Sequence, residues 1–275
     1  MPTSETNPRV PSVLQRLAAR ARPVGKPVMY QRWRDLLFLH WEYSVAAVQA
    51  TLPDGLFVDT FGGKAYLGIV PFFMCNIRPR CLPAVPGISN FMEMNLRTYV
   101  YDRHGVPGVW FYSLDANQPF AVALARRFFH LPYEHAKMKS SRTPTGAIRY
   151  ESVRTGRPDQ GCFFEYAPGD ALPESPPESL ESFLVERYRL YSRAPNALRR
   201  GAVFHQPYPL CRAKVTAWDE RLLTLNGFSP TGRPPDHIIM SRGVDVTVFP
   251  LEAVGSEKLS QTVYTTSKNS ADICQ

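Results

Sequence analysis

Residues 91–100 read FMEMNLRTYV, with Glu93, Asn95, Arg97 and Tyr99 at every second position. A period of two is that of a β-strand, so these four side chains share one face. Together they are a carboxylate that could take a proton, an amide, a guanidinium that could fork a carboxylate, and a phenol. If the face points to water, it is an ordinary solvated edge. If it points inward, Glu93 and Arg97 lie about 13 Å apart along the strand, flanking Asn95. Buried charges must then be paired or bound to something. The strand pattern alone fits both readings.

Other chemistry-bearing patterns are sparse. There is no Gly-x-Ser-x-Gly elbow, no Gly-rich phosphate loop and no His-Glu-x-x-His helix. His130 and His135 are five apart, which would place them on different faces of a helix, so no metal site is expected. Cys75, Cys81, Cys162, Cys211 and Cys274 are widely spaced and odd in number. That pattern favours reduced thiols over a disulfide frame or a zinc knuckle. No cofactor is implied by any motif.

Several elements must position the polar strand. RDLLFLHWEYS reads as a strand running into a helix, AAVQATL, which stops at Pro53 and Gly55. FVDTFGGKAYLGIVPFFM reads as a hairpin turning at Gly62-Gly63. The partner of 91–100 is expected to be GVWFYSLDA, reached through the turn DRHGVPG. PFAVALARRFF has helical spacing, with Pro119 in its first turn and Phe120, Leu124 and Phe128 on one face. Strand-like runs follow at 145–154 and 161–166, then a helix over LESFLVERYRLY, then short β-rich segments to Pro250. The sum predicts an α+β protein: a mainly antiparallel bent sheet, β-barrel-like, with two or three helices.

Composition sets the outer limits. The 275 residues are 44% hydrophobic and 20% charged, a globular balance, and 26 prolines disfavour long helices. No apolar run approaches the ~20 residues of a bilayer span, and no secretory signal is evident, so a cytoplasmic location is expected. The net charge of +8 invites a nucleic-acid partner, but the arginines are scattered, and part of the excess lies in the first 34 residues. Residues 1–27 read as a flexible basic arm, 28–255 as a single domain, and 256–275 as a polar tail.

FMEMNLRTYV, PGVWFYSLDA and ARRFFHLPYEHAKM, with LHW, LPDGL and VPF before them, resemble the uncharacterised bacterial domain-of-unknown-function family 2071, the YqjF-like proteins. The resemblance runs from about Tyr30 to Pro250. More distantly, the layout is similar to the acetoacetate decarboxylase superfamily, whose sheet surrounds an inner cavity. That likeness implies pocket positions at Arg34 and Glu93 and is compatible with a homo-oligomer. The superfamily's Schiff-base lysine would follow a proline after the central helix. Here the text is Pro132-Tyr133-Glu134, and a second acidic pocket position falls near Gly68. Tyrosine forms no imine, so acetoacetate decarboxylase activity is not expected.

The expectation is therefore a cytosolic protein with a polar cavity lined by Arg34, Glu93, Asn95, Arg97, Tyr99 and Tyr133, binding a small anionic or carbonyl-containing metabolite. Glu93 and Tyr133 are the candidates for lyase- or isomerase-like proton transfer. The alternative is a non-catalytic ligand-binding or regulatory module that kept the fold. A third reading, an acidic or nucleic-acid partner on the basic arm, is the least supported.

Overall fold

The computed structural model describes residues 8–195 and 197–255. Along the chain run α1 (Val13–Ala19), β1 (Met29–Tyr43), α2 (Val45–Gln49), β2 (Leu56–Val58), β3 (Ala65–Pro79), β4 (Phe91–Asp102) and β5 (Pro107–Ala116). Next come α3 (Pro119–Phe129), β6 (Tyr133–Arg142), β7 (Ile148–Arg154), β8 (Cys162–Ala171), α4 (Leu180–Val185) and β9 (Arg189–Ala194). The chain ends with β10 (Ala197–Phe204), β11 (Leu210–Ala217), α5 (Arg221–Leu225), β12 (His237–Val248) and β13 (Glu252–Ala253).

The thirteen strands form one sheet in the order β13-β10-β9-β5-β6-β7-β8-β11-β12-β1-β3-β4-β2. Pairing is antiparallel except that β5 runs parallel to β6 and to β9. Two extra ladders, β4 with β5 and β10 with β12, bring the sheet back on itself. It is thus a bent, mixed, mostly antiparallel sheet wrapped about two large cores and two smaller clusters, and not a simple barrel. The described residues hold five helices rather than two or three, and α3, at eleven residues, is the longest.

Strand β4 runs between the two cores, which decides where its polar face points. Met92, Met94 and Leu96 join Leu37, Leu39, Trp41, Tyr150 and Phe164 in one core. Tyr99 joins Phe38, Phe72, Met74 and Val246 in the other. Every β4 residue after Phe91 is buried, so neither face meets water.

Two expectations about local structure, the Gly62-Gly63 hairpin and the helix over LESFLVERYRLY, are corrected. Gly62-Gly63 closes only an isolated bridge between Phe61 and Lys64, and β2 pairs with β4, not β3. The stretch LESFLVERYRLY is helical only to Val185. Its second half becomes β9, because Arg189–Ala194 has a ready partner in β10. On α3 the face carrying Phe120 and Phe128 is exposed, while Val122 is buried beneath it. Helix α1 lies in the stretch read as a loose arm, and its Arg16 grips Asp59 on the body through both carboxylate oxygens (2.5 and 2.6 Å). The polar tail expected at 256–275 lies outside the described residues. Among the described residues, no helix is long and apolar enough to cross a membrane.

Candidate functional site

Glu93 is carried into the interior by β4 and is 2% exposed. The Tyr133 hydroxyl donates to its Oε2 at 2.7 Å. Tyr150, from β7, donates to the Glu93 backbone carbonyl at 2.7 Å and so pins the strand at this point. Burial, helped by the charge of nearby Asp115, raises the Glu93 carboxyl to about 7 against the pull of the Tyr133 hydrogen bond. Asp115 itself is held by Arg154 through both oxygens, at 2.8 and 2.9 Å. Burial and the adjacent carboxylate push the Tyr133 phenol well above its ordinary value, so it remains a donor.

Tyr133 reaches this place through a local device at the end of α3. His130 takes a left-handed conformation (φ 50°), which ends the helix. Leu131 and Pro132 then lead straight into β6, where Tyr133 pairs with Leu114. His135 lies in β6 against Thr155, so the two histidines share no helix. Among the described residues no cluster of three metal-ligating side chains occurs.

Glu93 and Tyr133 line a cavity of about 160 Å³ together with Arg97, Arg187, Arg189 and Tyr208. Apart from Gln31 its remaining wall is apolar, with Phe91, Met74 and Trp33 on the sheet and Ala121, Ala125 and Phe129 on α3. Arg97 is 8% exposed, donates to the Leu184 carbonyl at 3.0 Å, and lies against the rings of Phe38 and Tyr99. Arg187 donates to Asp59 at 2.8 Å and to the Phe183 carbonyl at 2.7 Å. Among the described residues, Arg97 Nε and Arg187 Nη2 are buried with no hydrogen-bond partner. Neither Arg97 nor Arg189 forms a salt bridge among the described residues, although the Glu252 charge acts on Arg189. The cavity is therefore a cationic, donor-rich end joined to an apolar end, with a carboxyl that titrates near neutrality.

The six residues singled out from the sequence scatter around this geometry. Glu93, Arg97 and Tyr133 line the cavity. Asn95 is buried outside its lining, with its amide oxygen unpaired among the described residues. Tyr99 is fully buried behind Arg97 and bonds His40 Nε2 at 2.8 Å. Arg34 points away: its guanidinium bonds Asp245 at 2.6 Å and the Trp33 and Val244 carbonyls. Met29, Gln31 and Trp33 face the cavity, so the period of two turns Arg34 outward. Sequence reasoning missed Arg187 and Arg189, which it had assigned to a helix. The alternation Arg187, Arg189 beside Tyr188 and Leu190 was the available signal. Lys137 and Lys139 are exposed, and no lysine lines the cavity.

Residues 30–245 match the model of DUF2071, described as an uncharacterized conserved protein. The chain belongs to this family. A DUF2071 relative, the uncharacterized protein YqjF of Bacillus subtilis (strain 168), is 38% identical over 230 residues, covering 83% of this chain and 93% of YqjF. Among solved structures, the enduracididine biosynthesis enzyme MppR complexed with pyruvate superposes with a TM-score of 0.58. It is 13% identical and covers 84% of this chain and 92% of its own. Acetoacetate decarboxylase from Legionella pneumophila gives 0.57 at 11% identity, over 92% and 98%. At such identities these likenesses establish the fold: this DUF2071 chain has an acetoacetate decarboxylase-like fold.

Proposed function

We propose that the chain binds a small anionic, carbonyl-containing metabolite in the cavity beside Glu93 and Tyr133, and moves a proton on it. The observation that carries this reading is the meeting, in one cavity, of a Tyr133–Glu93 pair with two buried guanidiniums that keep unpaired donors. An unpaired buried N–H costs roughly 1–3 kcal/mol, which a ligand carboxylate would recover. Pyruvate in the fold relative MppR is a molecule of the same chemical class.

The chemistry that suits these groups is enolisation. The Glu93 carboxylate, titrating near 7, would take a proton from the carbon next to the ligand's carbonyl. The C–H electron pair becomes the C=C bond, and the carbonyl pair moves to oxygen. Tyr133 would donate to that oxygen as its charge grows. Imine chemistry lacks support, since the cavity lining holds no lysine.

Solvent deuterium exchange into a 2-oxo acid, followed by proton NMR, tests the reading. Wild type should speed exchange at the carbon beside the carbonyl, and Glu93→Gln should not. Calorimetry run beside it should show the acid binding more tightly than its amide. Binding without exchange would favour a non-catalytic ligand-binding or regulatory module, and equal binding of acid and amide would overturn the anionic ligand.

A further inference from the structure

The cavity is ordered along β4, and that order constrains the ligand. Arg97 lies four residues from Glu93, toward Tyr99, and Phe91 lies two residues away on the other side. At ~3.4 Å per residue, the cationic and apolar ends are therefore on opposite sides of the carboxyl. The apolar end is a row fixed by strand register. Phe91 pairs with Met74, Met74 with Trp33, and Trp33 with Val244, across four adjacent strands. Helix α3 roofs that end, and two of its lining residues, Ala121 and Ala125, are small and leave room beneath it. The one polar side chain in this half, Gln31, is engaged with its neighbours, accepting from Trp33 Nε1 and donating to Met29 Sδ, and no step proposed above uses this half.

Resting on the ligand site proposed above, we infer that the ligand is a short-chain 2-oxo acid with an apolar tail of about two to four carbons. Its carboxylate meets Arg97 and Arg187, its carbonyl faces Glu93 and Tyr133, and its tail lies against Phe91, Met74 and Trp33 beneath α3. Size supports this range. An apolar cavity of ~150 Å³ takes a benzene ring, so about 160 Å³ suits a branched aliphatic acid. An aryl-substituted acid exceeds it.

Calorimetric titration of the full chain with pyruvate, 2-oxobutanoate, 2-oxopentanoate, 3-methyl-2-oxobutanoate, 4-methyl-2-oxopentanoate and phenylpyruvate tests the inference. Affinity should rise about fourfold for each methylene buried, from the ~0.8 kcal/mol that such burial is worth, and should fall again at phenylpyruvate. Ala125→Leu should cost the longer acids more affinity than it costs pyruvate, flattening the series. Should that variant fail to fold, Phe129→Ala, on a half-exposed residue, should move the optimum toward phenylpyruvate. Acids that bind equally whatever their tail overturn this inference and leave the proposed site standing. A series in which no acid binds overturns both.

Discussion

Tyr133 and Glu93, forty residues apart on β6 and β4, share a 2.7 Å hydrogen bond in which the phenol donates to Oε2. Their strands do not touch. β5 lies between them, pairing Asn95 with Leu114 and Leu114 with Tyr133, so Tyr133 reaches Glu93 diagonally across the ladder. The bond thus depends on the register of three strands and on the turn at His130.

Tyr133→Phe keeps the ring and removes the donor. Urea unfolding should show a loss of about 1–3 kcal/mol, the cost of a buried polar group left short of a partner. The bond pulls the Glu93 carboxyl down, so without it Glu93 should titrate above its wild-type value of about 7. The carboxyl stretch in infrared spectra, followed against pH, reads that change directly.

Stability should fall as pH rises from 4.5 to 7 because of Glu93. Its folded value of about 7 exceeds the unfolded 4.5, so between them the folded state holds the extra proton. The contribution is full below 4.5, lost through this window and absent above 7. With each pH unit worth ~1.4 kcal/mol, the total is roughly 3 kcal/mol. His40 works in the opposite sense: burial holds it well below 6.5, so its contribution is lost as pH falls below 6.5. Subtracting the Glu93→Gln profile from that of wild type isolates the Glu93 window. A flat difference would contradict the assigned titration.

Asp59 is fully buried between Arg16 of α1 and Arg187 of the cavity wall. Asp59→Asn leaves two guanidiniums without their carboxylate and should cost about 3–5 kcal/mol. Arg16→Ala should cost less, since Asp59 keeps Arg187 and Arg16 is partly exposed. Limited proteolysis should nonetheless cut that variant faster near α1, which this contact fastens to the body.

Much of the architecture was legible because the period-two pattern of β4, β5 and β12 and the 3.6 spacing of α3 are local signals. On the strand pattern alone the inward direction of Glu93 was one of two options, and the family resemblance was what favoured it. Burial of both β4 faces depends on ladders closing far away in sequence, at β4–β5 and β10–β12. Arg34 shows the limit of carrying a position over from a distant fold. Its neighbour Trp33 faces the cavity, and the period of two turns Arg34 to the other side of β1, where it meets Asp245. Arg187 was hidden because LESFLVERYRLY satisfies helical spacing, whereas β10 offers Arg189–Ala194 a strand partner. Tertiary pairing overrode propensity there.

Gly68 stands between His40 on β1 and Arg97 on β4 in the ladder register. A methyl group there would lie 3.0 Å from His40 Cδ2, and 3.3 Å from both His40 Nε2 and the Tyr99 hydroxyl. Those two polar atoms share a 2.8 Å hydrogen bond, and His40 Nδ1 continues to His237 Nδ1 at 3.0 Å. Gly68→Ala should therefore wedge this buried pair apart and cost about 1–3 kcal/mol, as overpacking does. Tyr99→Phe removes the same bond without adding volume. If the wedge acts through that bond, Gly68→Ala should cost less in the Tyr99→Phe background than in wild type. Additive losses in urea unfolding would mean that the methyl group strains the backbone instead. The His40 side-chain nitrogen shifts in NMR should move with Gly68→Ala in the first case only, since Nε2 then loses its hydrogen-bond partner, the Tyr99 hydroxyl.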